Sequence, residues 1–508
     1  MSELVENKND SVSISKFYDG KSIFITGAAG FVGVVLLEIL LRCCGGIKSI
    51  YILLREKKGV SPQERKEEIF NRSLFRQLRG EDRKVFDKVH VVAGDLSLTD
   101  MDMSRDDLKR VTEEVTIVFH CAASVSFFKP LQYLLLHNAG GVNNIISLCK
   151  KLKRCEVLVY TSTAYSNCNR KLKIEERVYR LPYEAQRFID AVDNGKEELL
   201  QQIVSECQPL WPNHYSFSKC IAENLLIEKA SDIPTAIIRP SLIGPIWKGA
   251  LPGYIEENSS LSQLLIAISK GFLKVLPAHP KVCLDFIPAD IVANAHVIAA
   301  CRLATQSHPS PFVVNCSSHG SYEYRIGEHI HVITENSMKN TIPHIFRYSN
   351  KCWVDNHPVK TKLLSLFEHY IPAVGLDLML LLQGKRPRLV SLYRFLDRVV
   401  KISTYFICNS WTYEVGNFWS LQRMVNNKEK EVFYTDIKTL DVWDYVGSFV
   451  SGAPFYDWKF DKKSKEERIK SSRRVYFYSV FIQVIVIFFL CWLLFKAFLL
   501  LAQSTFIC

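Results

Sequence analysis

Six short apolar runs, separated by stretches of helical spacing, govern what the first 300 residues can fold into. They are KSIFIT from Lys21, SIYILLR from Ser49, KVHVVAGDL from Lys88, VTIVFHCAAS from Val115, CEVLVYTSTAY from Cys155 and PTAIIRPSLIG from Pro234. A strand covered by helices on both sides reads as a continuous apolar run. Strands alternating with helical patterns predict a parallel sheet with helices on both faces. The expected fold is α/β, a Rossmann-type doubly wound parallel sheet over roughly Lys21 to Ala300, with a substrate region interleaved after Arg239.

The first run leads into ITGAAGFVGVVLL, which spaces glycines at Gly27, Gly30 and Gly33. Between a strand and a helix, Gly27 permits a tight turn, Gly30 lets backbone approach a pyrophosphate, and Gly33 allows close helix packing. The helix amino end then offers free N–H groups to phosphate. At the end of the second run stands Arg55, followed by Glu56, Lys57 and Lys58, where an NAD site usually has an acid. A guanidinium suits a 2′-phosphate, so NADPH is the expected cofactor. Asp95 and Leu96 end the third run, and Asp95 can accept from an adenine amine. Cys121 to Ser124 end the fourth, where the small Ala122 and Ala123 let a dinucleotide lie against backbone.

In HYSFSK, Tyr215 and Lys219 are four residues apart and share a helix face. A free phenol has a pKa near 10, and a nearby ammonium is expected to lower it. The partner hydroxyl is expected at the end of the fifth run, with Thr163 first and Ser162 second. His120, inside an apolar strand, and His214 are both read as satisfied core residues rather than bases.

The 15 cysteines form no Cys-x-x-Cys pair and no zinc spacing, so they read as small buried hydrophobes in a reducing compartment. The formal charge of +12 is scattered except between Lys462 and Arg474, where seven basic residues face two acidic ones. That pattern argues against a nucleic-acid stripe. Beyond it Val475 to Phe495 is an uncharged run of 21 residues, long enough as a helix to cross a bilayer core of about 30 Å. A tail anchor follows, with the body in the cytosol because the basic residues precede it. The greasy segment 363–384 is interrupted by Glu368, His369, Pro372 and Asp377, so a packed helical pair or a surface dipping into lipid is expected there in preference to a second span.

These motifs together resemble the fatty acyl-CoA reductases of the extended short-chain dehydrogenase/reductase superfamily. FITGAAGFVGVVLLEILLR, VFHCAASVSF, STAYSNCNR, WPNHYSFSKCIAE, IIRPSLIGP and HYIPAVGLDLMLLLQGKRPRLVSLY carry the likeness, which extends from about Ser15 to Phe460. The resemblance implies reduction of long-chain fatty acyl-CoA to primary alcohol with NADPH, through an aldehyde and with release of CoA. It implies catalytic roles for Tyr215, Lys219, Thr163 and Ser162. It implies a cofactor site built from Thr26, Gly27, Gly30, Phe31, Val32, Gly33, Arg55, Asp95, Leu96, Ala122, Ala123, Tyr215, Lys219, Pro240 and Leu242. Ser259, Ser260, Ala267 and Ile268 stand where glycine or proline is common in that family, in a region expected to border the acyl channel.

The expected organisation is a polar tail (1–16), a reductase domain (17–340), a C-terminal helical domain (341–460), a basic linker (461–474) and a transmembrane helix (475–502). The expected partners are the acyl-CoA and, through the anchor, membrane lipid, at the endoplasmic reticulum in preference to the peroxisome. A hydroxysteroid dehydrogenase, a sugar-nucleotide epimerase or a silent lipid-binding member are the alternatives; neither acyl length nor oligomeric state is legible.

Overall fold

The computed structural model describes residues 13–452 except 172, 257–259, 307–310, 324, 340–345 and 348–350, together with scattered positions between 466 and 496. The expected linker and anchor, 461–502, lie for the most part outside the described residues.

Seven strands form one sheet: β1 (Ser22–Thr26), β2 (Ser49–Leu54), β3 (Val89–Ala93), β4 (Ile117–His120), β5 (Val157–Thr161), β6 (Thr235–Pro240) and β7 (Phe312–Cys316). The order is β7–β6–β5–β4–β1–β2–β3, and every pairing is parallel. The six apolar runs are β1 to β6. The seventh strand, FVVNC, is not among them, because Asn315 cuts its apolar run to three residues.

Thr26 sits in register with Leu53 on one side and His120 on the other. The chain passes from β3 back across to β4, so the strand order reverses around β1. Ligands of such sheets bind beyond the strand ends at that reversal.

Each face of the sheet carries its own core. The helix Phe31–Cys43, apolar through VVLLEILL, packs with Ala289–Thr305 on one face. The helices Gly141–Lys151 and His214–Lys229 cover the other. Glu38 is buried within the first of these helices and is matched one turn on by Arg42 at 2.6 Å.

The C-terminal residues divide in two. Residues 411–437 return to the reductase body, with Phe418 and Leu421 fully buried in the same core as β1. Asn294 donates to the carbonyls of Val432 and Tyr434 there. Ile14 is also fully buried, and Glu429 accepts from the backbone N–H of Ile14 at 2.9 Å and of Ser15 at 3.0 Å. Packing thus joins segments on either side of the expected boundaries at 16 and 340.

The other part is a helical hairpin. Pro358–Leu382 runs as one helix of 25 residues, and Leu389–Ile407 returns beside it. Pro372 does not break the first arm. A π-turn at Leu366–Tyr370 precedes it and absorbs the ring that a regular turn would clash with.

Candidate active site

The turn after β1 is built by its glycines. Gly27 has φ +75°, and a Cβ there would lie 2.5 Å from the Ala122 nitrogen. A Cβ on Gly33 would lie 2.2 Å from the Gly27 oxygen, so this glycine seats the helix on the turn itself. Gly30 starts the helix with no side-chain cap, leaving the first N–H groups, at Phe31 and Val32, open to an anion. A Cβ on Gly30 would meet only the Gly27 oxygen, at 3.2 Å. Ala122 and Ala123 lie alongside, half-buried, at the end of β4. These features fit a dinucleotide pyrophosphate.

Thr26 is sealed from solvent. Its hydroxyl lies 2.6 Å from His120 Nδ1 and accepts weakly from the Ala122 N–H at 3.4 Å. Burial, with Lys219 nearby, holds His120 down to about 3, so the ring is neutral. It stacks on Tyr160 in the core, as expected. His214 differs from expectation: it is exposed on the first turn of its helix.

At the end of β2, Arg55 donates to Asp95 at 3.1 Å. Asp95 also accepts from the backbone and hydroxyl of Ser97. Burial pushes its carboxyl up, but the Ser97 bonds and Arg55 together hold it below the usual range. The residues expected to read phosphate and adenine thus pair with each other. Leu96 follows, half-buried against the second core. Two arginines that the sequence did not single out join this corner. Arg65 donates to the Arg55 carbonyl at 2.6 Å, and Arg72 donates to the Ala29 carbonyl in the glycine turn at 3.1 Å. Both lie in a segment that reads as an ordinary charged surface helix. The available signal was its nearness in sequence to the end of β2.

Tyr215 is the second residue of the helix His214–Lys229, which Asn213 caps by accepting from the Ser216 N–H at 2.8 Å. The phenol is half-buried, with its ring 5.7 Å from that of Phe127. Phe127 stacks in turn on Phe406, which comes from the hairpin, and Phe406 meets Tyr165 edge-on at 5.2 Å. An apolar aromatic wall therefore stands beside the tyrosine.

Lys219 is 2% exposed and donates to the Thr161 carbonyl at 2.7 Å and to the Tyr160 hydroxyl at 3.2 Å. Burial brings its ammonium down to about 7. Burial also pushes the Tyr215 phenol up. The expectation that Lys219 lowers the phenol is therefore corrected. The amine turns toward the end of β5, and desolvation of the phenol dominates.

Thr163 and Ser162 leave β5 in opposite roles. The Thr163 hydroxyl accepts from the Tyr165 N–H at 3.3 Å, and its own proton remains to be given. Ser162 instead donates to Glu223 at 2.5 Å. Glu223 is paired with Arg239 at 2.7 Å, and both side chains are fully buried. Ser162 belongs to that ion-pair network. A buried arginine in the apolar strand IIRP was the sequence signal for it. Pro240 ends the same strand and is buried, while Leu242 is half-buried just beyond.

Ala267 and Ile268 are buried in a separate apolar cluster with Val446 and Phe449. Ser260 begins the helix Ser260–Ser269, and Ser259 lies outside the described residues.

An NAD-binding domain model described as Male sterility protein matches residues 25–296, and a second model of the same description matches residues 368–459. Fatty acyl-CoA reductase 1 of Xenopus laevis is 33% identical over 445 residues, covering 88% of this chain and 86% of that protein. Its Homo sapiens namesake is 32% identical over the same coverage. Fatty acyl-CoA reductase 2 of Bos taurus is 31% identical over 462 residues, covering 91% of this chain and 89% of that one. Among solved structures, the terminal R domain from the myxalamid PKS-NRPS biosynthetic pathway superposes with TM-score 0.57 at 18% identity, covering 87% of this chain and 95% of that one. The reductase domain of a non-ribosomal peptide synthetase from Mycobacterium tuberculosis gives TM-score 0.57 at 16% identity, with 86% and 94% covered. At those identities the likeness is one of fold.

Proposed function

The chain belongs to the fatty acyl-CoA reductase family, and from that premise we propose that it reduces long-chain fatty acyl-CoA to primary alcohol, with NADPH as reductant and release of CoA. The observation that supports this most directly is the neutral phenol of Tyr215 set against the Phe127–Phe406 wall, with the Thr163 hydroxyl beyond β5. A long alkyl chain suits such a wall.

When bound, the nicotinamide supplies hydride to the acyl carbonyl carbon, once at the thioester and once at the aldehyde. Tyr215 holds its proton on the phenol oxygen, because burial disfavours the phenolate, and donates it to the oxygen that gains charge. Thr163 donates a second hydrogen bond to the same oxygen. At the thioester stage the C–S bond of the resulting hemithioacetal then breaks: its hydroxyl proton returns to the Tyr215 oxygen, the carbonyl re-forms as aldehyde, and sulfur leaves with the bonding pair as CoA thiolate. Lys219, under the end of β5, is suited to hold the nicotinamide ribose. Ser162 acts through Glu223 as a positioning residue rather than on substrate. Arg55, with Arg65 and Arg72 beside it, favours a 2′-phosphate and hence NADPH over NADH.

The basic run 461–474 and the apolar run that follows it support a membrane anchor with the body in the cytosol.

Membranes carrying the protein, incubated with acyl-CoAs of graded length and with NADPH or NADH, test the reading by gas chromatography of the extracted lipids. Alcohol is expected from long acyl groups, and with NADPH. Tyr215→Phe should abolish alcohol formation while NADPH still binds. Full activity in that variant would sink the catalytic assignment.

A further inference from the structure

The long helix Pro358–Leu382 has its polarity reversed relative to a helix at a protein–water boundary. Three polar residues in its middle and second half, Glu368, His369 and Asp377, are turned toward the protein. Glu368 pairs with Arg347 at 3.5 Å. His369 is buried and accepts from the Lys274 N–H at 3.0 Å. Asp377 is buried and accepts from the backbone N–H groups of Arg388, Leu389 and Val390 at 2.9, 3.0 and 3.0 Å, which fastens the start of the return helix. The opposite face is apolar and bare. Val359, Leu363, Phe367, Val374, Leu378 and Leu382 succeed one another along it at helical spacing, each close to half exposed or more, up to 89% at Leu382. The π-turn keeps them in one line by adding a residue where the chain passes Tyr370.

Only 17% of the helix's most apolar window is buried, and among the described residues this is the one helix long and apolar enough to cross a membrane. A crossing does not suit its surroundings. The return helix carries exposed Arg394, Arg398 and Lys401 and remains beside it. Lys360 and Lys362 flank the start of the apolar face, and Lys385, Arg386 and Arg388 flank its end, all exposed. From 358 to 401 eight basic residues stand against three acidic ones, of which Asp377 is buried. An apolar stripe with cations at both ends matches the headgroup–acyl boundary of an anionic leaflet.

We propose that this helix lies flat in one leaflet of an anionic phospholipid bilayer, and that the return helix leads acyl chains from that surface toward Tyr215. In the last turn of the return helix Phe406 stacks on Phe127 at 6.0 Å, and Phe127 meets Tyr215. Docking stands independently of the reductase reading; delivery of acyl chains rests on it.

The test uses the full-length protein reconstituted into phosphatidylcholine vesicles with or without phosphatidylserine. A photoreactive amino acid is placed at Val359 or at Leu382. Both positions are expected to crosslink to phospholipid, more so with phosphatidylserine, and the flanking Lys360 and Lys385 are expected to react with a membrane-impermeant amine reagent from the same side. Crosslinking only to a second copy of the chain, no lipid crosslinking, or protection of one end by the bilayer each overturns the docking. In a second arm, Leu378→Ser combined with Leu382→Ser is expected to raise KM for long-chain acyl-CoA by about tenfold. Turnover of a short-chain, water-soluble acyl-CoA should match the parent. An unchanged long-chain KM, or equal loss on both substrates, overturns the delivery. A parent that reduces no acyl-CoA sinks the reductase reading instead, while the lipid crosslinks still decide docking.

Discussion

Lys219 sets the pH at which the cofactor site changes character. Its amine is wrapped by β5 and loses water, so it sheds its proton at about 7 rather than at the usual lysine value. Phosphates of a bound dinucleotide favour the charged amine. Above neutrality the free protein must therefore take up a proton to bind, and affinity falls as pH rises, by up to about tenfold per pH unit. NADPH titrations followed by fluorescence check this. The decline is expected to begin near pH 7 and to vanish in Lys219→Met; a flat profile in the parent contradicts it. The pairing of Tyr215 with Lys219 on one helix face was legible from spacing alone. The direction of the amine was not, because Thr161 and Tyr160, which hold it, are 58 and 59 residues away in the chain. The same limit hid the pairing of Arg55 with Asp95 and the capture of Ser162 by Glu223.

The strand–turn–helix at β1 is the element on which the cofactor site depends, and its tolerance differs from glycine to glycine. Gly33→Ala forces a Cβ to within 2.2 Å of a backbone oxygen that cannot swing aside. The expected cost is about 1–3 kcal/mol of stability, with a weaker NADPH affinity. Gly45→Ala, at a position with open space around it, is the control and should change neither. Denaturant titration with cofactor binding on the same samples measures both, and equal stability of the two variants argues against the packing role given to Gly33. Six of the seven sheet strands were legible because parallel strands covered on both faces read as near-continuous apolar runs. The Pro358–Leu382 helix was read only in part. Pro372 and three polar residues look like interruptions along the sequence, and they become one packed face only when the π-turn and the partners Lys274, Arg347 and Arg388 are in view.

Across the whole molecule, buried neutral histidines make stability depend on acid. His120, His296 and His329 are held by burial to about 3, 4 and 3. The unfolded chain binds protons at these rings below the ordinary value of 6.5, whereas the folded chain does not. Stability is thus fully present above that pH and is lost as pH falls toward the folded values. The denaturation midpoint is expected to drop steadily from about pH 6.5 downward, and His296→Gln should flatten part of that slope; an unchanged midpoint down to pH 4 contradicts the account. Molecular scale also decides the order in which the chain can be completed. Glu429 clasps the amide of Ile14, 415 positions upstream. A ribosome adding about 5–20 residues per second takes roughly 20–80 s to cover that span. The opening segment of each nascent polypeptide therefore waits, with its isoleucine wet, until nearly the last of the body has emerged. The latch on Ile14 therefore closes only once Glu429 has been made, and a chain stalled before that glutamate keeps its beginning unlatched.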